Sequence, residues 1–122
     1  MNAPLSVIAI ASLIVVPLAQ SQQVTFLNAG LLHTQLQDAA RLPGPKTMTV
    51  FDSGQATAGI GFVDGVADSF NGTDFCLPNP VRRNEVDLAV LKYLDDHPDE
   101  WRNRAAPETV LALKARYPCQ KK

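Results

Sequence analysis

The chain holds only two cysteines in 122 residues, Cys76 and Cys119. They are far apart, so the Cys-x-x-Cys pair of a zinc ribbon or a thioredoxin-like redox centre is absent. Net charge is equally scarce: 11 basic residues face 12 acidic ones, which leaves −1. The basic footprint that a nucleic-acid binder needs is missing, and that class is excluded. No internal repeat is visible, so a solenoid is excluded too. The first 21 residues carry no Asp, Glu, Lys, Arg or His. Their apolar run, "LSVIAIASLIVVPLA", is 15 residues long, short for a bilayer span.

What is present suits one modest domain, with 46% hydrophobic residues. The uncharged start runs into Ala19-Gln20-Ser21, with small residues where a signal peptidase reads. Residues 1–21 therefore read as a secretory signal peptide, cut before Gln22. The competing reading is a buried or interfacial N-terminal helix. The first reading leaves 22–122 as an exported domain with no membrane segment after cleavage. Two cysteines in such a chain suggest one disulfide, Cys76–Cys119. It would close a loop of roughly 44 residues and stabilise the fold by roughly 4 kcal/mol in the chain-entropy model.

The pattern along the domain is helical, and the expected fold class is all-α, a compact bundle of about four helices. Leu32, Leu36 and Ala39/Ala40 recur at helical spacing over 24–42. "RLPGPK" breaks that helix, and 43–54 reads as a loop in which "TMTVF" could be a short strand. Over 55–70, Phe62, Val66, Phe70, Val63, Ala67 and Ile60 fill one wide side, with Asp64 and Asp68 opposite. Gly61 and Gly65 inside it would cost about 1 kcal/mol each, tolerable if another helix packs closely over them. Pro80 precedes a third helix with a stripe of Val86, Val90, Tyr93, Leu94 and His97, stopped by Pro98. Pro107 suits the first turn of a fourth, with Glu108 favourably placed at its positive end, Val110, Leu113 and Tyr117 as its stripe and Pro118 at its end.

Chemistry-bearing residues each carry a rival structural reading. Cys76 as a nucleophile would need a free thiolate and a base, from His33 or His97; the staple is favoured. His33, Cys76, His97 and Cys119 could form a zinc set, but no two are closely spaced. Asp64 and Asp68 are an i, i+4 pair that could be an acid/base or cation site. The favoured reading is a solvated face, with Asp68 accepting from the Asn71-Gly72-Thr73 turn. That triplet also matches the glycosylation pattern, to be discounted if the source is bacterial. His97 at a helix C-terminus reads as structural. "DDHPDEW" with "RNR" is the favoured partner-binding surface: Asp95, Asp96, Asp99, Glu100, Trp101, Arg102 and Arg104. Tryptophan and arginine are frequent interface anchors; equally, Trp101 could fold back as a lid on the core.

Four strings in order, "GFVDGVADSF", "FCLP", "VDLAVLKYLDDHPDEW" and "AAPETVLALKARYPC", resemble the Tai/Rap family of immunity proteins. Those proteins accompany amidase effectors of the type VI secretion system. Gly61, Phe62, Gly65, Val66, Asp68, Cys76, Pro78, Val81, Tyr93, Leu94, His97, Pro98, Pro118 and Cys119 carry the match, and Phe75 is expected only to pack. The resemblance implies a small exported, periplasmic helical protein, often a homodimer, that binds a cell-wall amidase and blocks its cleft. It implies no catalysis, no cofactor and no metal. Relatives commonly carry a further cysteine pair that is missing here, so the N-terminal half should be less tightly held. Two other readings stand beside it. One is a helical periplasmic protein similar to the HdeA-like acid-stress chaperones. The other is a small hydrolase using Cys76, which requires a free thiol.

Overall fold

Asn28 caps the first helix. Its extended backbone and side-chain oxygen cap the Leu31 N–H at 2.8 Å and open a first helix, α1, over Ala29–Ala40. The computed structural model describes residues 26–42 and 48–121. The expected signal peptide, the start of the expected first helix and 43–47 of the expected loop lie outside those residues. Three further helices follow: α2 over Val50–Phe70, α3 over Arg83–Asp96 and α4 over Ala105–Arg116. A short 3-10 turn, Pro98–Glu100, sits between the last two. No strand occurs among the described residues, so the all-α bundle of four helices stands.

The short strand expected in "TMTVF" does not form, and α2 starts five residues before the expected 55. The cause is a capping box. Thr49 Oγ1 accepts from the Asp52 N–H at 3.0 Å, and Asp52 Oδ2 accepts from the Thr49 N–H at 3.2 Å. Two orphan donors are thereby met, and helix formation wins over the β-propensity of Val50 and Phe51.

α1 packs most extensively on α2 and also meets α3 and α4. Leu32 and Leu36 of α1 join Val63 and Ala67 of α2, Val86, Val90 and Leu94 of α3, and Ala112 and Leu113 of α4 in one core. Phe75, in the segment between α2 and α3, is fully buried. Each of the larger of these side chains, leucine, valine or phenylalanine, contributes about 1.5–3 kcal/mol by leaving water.

The wide apolar side drawn for α2 is only partly inside: Phe70 remains exposed and Phe62 half-buried. The close packing expected over Gly61 and Gly65 is also absent, since a Cβ at either would meet nothing within 4 Å. The close approach is at Gly59, where a Cβ would stand 2.8 Å from the Gln35 Cβ of α1. Only glycine lets α1 and α2 come that near.

The segment after α2 is closed by Asn71 and Thr73 rather than by Asp68. Asn71 Oδ1 accepts from the Leu77 N–H at 2.9 Å, and Thr73 Oγ1 donates to the Phe70 carbonyl at 2.9 Å. Gly72 takes the left-handed φ of +88° that this turn requires. Cys76 and Cys119 are bonded, S–S 2.07 Å, and the Cys76 N–H also donates to the Tyr117 carbonyl at 2.8 Å. The C-terminus is thus tied to the segment that leads into α3.

Candidate functional site: the braced charged connection

The first N–H groups of any helix lack partners within it. In α1 they find them in the connection between α3 and α4. The Ala29 N–H donates to the Asn103 carbonyl at 2.9 Å, and the Gly30 N–H to the Trp101 carbonyl at 2.9 Å. In return the Ala105 N–H donates to the Leu27 carbonyl at 2.8 Å. Gly30 is there because a Cβ would lie 3.2 Å from the Trp101 Cβ. The 95–104 connection is therefore a fixed platform seated on a helix end, although it holds no more than one turn of helix.

Trp101 folds back, onto His33 and the end of α3 rather than over the hydrophobic core. Its Nε1–H donates to the Leu94 carbonyl at 2.9 Å, and its ring stacks on His33, centroids 4.4 Å apart. Buried His33 in turn places Nε2 2.6 Å from Asp95 Oδ1. On the other side of the platform the Tyr93 hydroxyl donates to Glu100 Oε2 at 3.1 Å. His97 closes α3: its Nδ1 donates to the Tyr93 carbonyl at 2.7 Å, and the two rings stack at 4.1 Å. Pro98 opens the 3-10 turn immediately afterwards.

Under the platform lies a buried carboxylic acid. Glu108, in the first turn of α4, accepts from Asn103 Nδ2 through Oε1 at 2.9 Å. Its Oε2 has no donor partner among the described residues, and its carboxyl faces that of Glu100. Burial, first, and the Glu100 carboxyl hold the Glu108 acid above its usual range, against the Asn103 donor. A proton held between the two carboxyls would satisfy both. The Tyr93 hydroxyl is pushed up to about 12 by burial and by its bond to Glu100, so it stays a donor at neutral pH.

The expected partner-binding residues thus gather on one end of the bundle, but in two sets. Asp95, Glu100 and Trp101 are engaged in bracing. Asp96, Asp99, Arg102 and Arg104 project outward and are exposed. Asp96 takes a surface ion pair with Lys92 at 3.1 Å, and the Arg104 guanidinium lies 4.0 Å over the Phe26 ring. Gly61, Gly65 and Asp68 lie elsewhere, on the exposed face of α2, and Pro78 follows the disulfide on the surface. Sequence reasoning took His33 only as a base or ligand and missed its bracing role; it took Glu108 only as a charge at the start of the fourth helix and Asn103 only as part of the "RNR" surface, and it missed Gly30. The signals were there for two of them: a polar Asn103 and Glu108 at spacing five, flanking the start of a helix.

The chemical alternatives lose their parts. Both cysteines are consumed in the disulfide and no free cysteine is found among the described residues, which removes the Cys76 hydrolase and two of the four zinc ligands. Asp64 pairs with Arg83 at 2.9 Å, and no cluster of three or more His, Cys, Asp or Glu that could hold a metal occurs among the described residues. The arrangement offers a braced display of acidic then basic side chains, with the buried Glu108 carboxyl beneath it.

No curated protein matches the sequence. A family model described as Rap1a immunity proteins matches residues 29–119, from the first residue of α1 to the second cysteine. That span includes all four helices and the braced connection, and the chain belongs to the Rap1a immunity protein family.

Proposed function

We propose that this protein is a periplasmic immunity protein that binds a peptidoglycan amidase effector of the type VI secretion system and blocks its cleft sterically. The family carries the immunity role. The observation that carries the mode of action is the seating of the 95–104 connection on the N-terminus of α1. A loop that must enter an enzyme cleft loses less entropy on binding if it is already held. Four backbone and side-chain bonds, Ala29 to Asn103, Gly30 to Trp101, Trp101 to Leu94 and His33 to Asp95, hold this one.

In this mechanism the chain performs no chemistry. Asp99, Arg102 and Arg104 meet polar groups at the rim of the cleft, and α3 backs the loop. Acidic and basic groups side by side favour one partner over others more than they raise affinity. Export by the N-terminal segment brings the protein to the compartment where the amidase would act on the cell wall, and two copies would present two such loops.

The test is co-purification of the tagged mature chain with an amidase encoded beside it, together with protection of cells that receive that amidase. Charge reversal at Asp99 and Arg102 together should weaken capture by tenfold or more if both meet the partner, about 1.4 kcal/mol. A protein that neither binds nor protects against any neighbouring amidase sinks the proposal.

A further inference from the structure

A second feature lies away from the braced connection, between α1, α2 and α3. It is a cavity of about 330 Å³. α1 contributes only apolar groups to it, among them Leu36 and Ala39; α2 contributes Ile60, and α3 contributes Leu88 and Leu91. The polar part of the wall is Arg83, Asn84 and Asp87 of α3. Leu88, at its mouth, is half exposed, so the cavity opens to solvent.

Asp87 is the informative residue. Its Oδ1 is buried and has no hydrogen-bond partner among the described residues. Arg83 is one turn away and would be its natural partner, yet the Arg83 guanidinium is committed to Asp64 of α2 at 2.9 Å. Two carboxylates and one guanidinium leave one negative charge uncompensated beside an apolar chamber. Burial and the Asp64 charge, less the Arg83 charge, raise the Asp87 acid to about 6, so it is largely ionised at neutral pH. A buried acceptor without a donor costs about 1–3 kcal/mol, more when charged. Nothing in the α1 wall offers a donor.

We infer that this cavity is the receptor for a lysine side chain presented by a protein partner, its aliphatic stem lying on Ile60, Leu88 and Leu91 and its ammonium meeting Asp87. The chemistry selects lysine. A four-carbon stem ending in a compact point charge matches an apolar channel with one unpartnered acceptor, whereas a guanidinium fork seeks two parallel acceptors. The charge it brings neutralises the excess left by Asp64 and Asp87. The proposal takes from the immunity reading only that the occupant belongs to a protein. It places a contact on a face other than the 95–104 connection.

Methyl NMR of the purified protein near neutral pH tests this with two blocked amino acids, N-acetyl-lysinamide and N-acetyl-norleucinamide. They differ chiefly by the ammonium group. The lysine compound should shift the Ile60, Leu88 and Leu91 methyls and bind about tenfold or more tightly than the norleucine one, as expected of a charge-assisted bond. Asp87→Asn should bring the two to the same affinity, and retained binding of norleucine would show that the chamber is intact. Lysine binding should fade as pH falls below about 6, where Asp87 takes a proton; among the described residues, Asp64, Arg83 and Asp87 are the charged groups around the chamber. Equal affinity of the two compounds for the unaltered protein, an Asp87→Asn variant that still prefers lysine, or no methyl shift with either would overturn the inference. None of these outcomes bears on capture of an amidase by the connection, so the two readings fail separately.

Discussion

His33, in the second turn of α1, lies 2.6 Å from a carboxylate oxygen of Asp95, 62 positions later at the end of α3. Its other contact is the stacked ring of Trp101. One buried imidazole thus ties the charged connection to the opposite end of the chain. Replacing it should loosen the platform more than the core. His33→Ala is expected to cost about 1–2 kcal/mol in denaturant unfolding. The stack and one charged hydrogen bond set that figure, discounted because Asp95 is half exposed. Hydrogen exchange at Gly30 and Ala29 should rise in the same variant. Unchanged exchange at those two amides would refute the bracing role.

Three glycines of α2 separate by experiment in a way their spacing does not suggest. A Cβ at Gly59 runs into Gln35, while Gly61 and Gly65 face open space. Gly59→Ala should therefore destabilise by about 1–3 kcal/mol through forced displacement of α1. Gly61→Ala and Gly65→Ala should each stabilise by about 0.5–1 kcal/mol, because an exposed helical glycine gains from a side chain that restricts the unfolded chain. Thermal melts of the three variants decide the matter. A stability loss at Gly61 or Gly65 would point to a partner that packs on that face.

The disulfide closes a long loop, with a sequence separation of 43. Converting both cysteines to serine should cost roughly 4 kcal/mol in the chain-entropy model. The native protein should give no thiol titre before denaturation in reductant. A loss under about 1 kcal/mol would mean that the reduced chain stays structured near Cys76.

These cases show what could be read along the chain. α3 and α4 were legible because Val86, Val90 and Leu94 keep helical spacing and Pro98, Pro107 and Pro118 punctuate it. The cysteine bond was legible because only one pairing existed. The start of α2 was not, since Thr49 and Asp52 act as caps only when their backbone is already turned. The glycine that matters was hidden among similar ones, because close approach is a property of the facing helix. Thr109 is fully buried and still polar, and its hydroxyl is met by the Ala105 carbonyl at 2.8 Å. The bracing of the connection depends on contacts between its ends and α1, which no local pattern records.

Asp87 makes stability depend on pH in the unusual direction. Its acid is raised from 3.8 to about 6 in the folded protein. The folded state therefore binds more protons than the unfolded one between about 4 and about 6. Stability from this group is fully present below the lower value and is lost as pH rises through the upper one. The full shift corresponds to about 3 kcal/mol, and roughly half of that is expected because the side chain is partly solvated. Asp87→Asn should remove this slope and gain about 1 kcal/mol near neutrality. Urea midpoints at several pH values, for both proteins, provide the check.

Glu108 and Glu100 provide the last prediction. Two carboxyls that face each other in a buried site cannot both ionise cheaply. The geometry calls for a donor on Glu108 Oε2, which is otherwise unpartnered, while Oε1 accepts from Asn103. Glu108→Gln supplies that donor permanently: its amide oxygen keeps the Asn103 bond and its NH₂ meets Glu100. The variant should match or exceed the parent in stability at neutral and alkaline pH. The parent should weaken as pH rises and the shared proton is lost. Glu108→Ala, by contrast, strands Asn103 and leaves a void, at about 1–3 kcal/mol. If the glutamine variant proves as unstable as the alanine one, the shared proton is ruled out, and the carboxylate itself must be what holds the start of α4 to the connection.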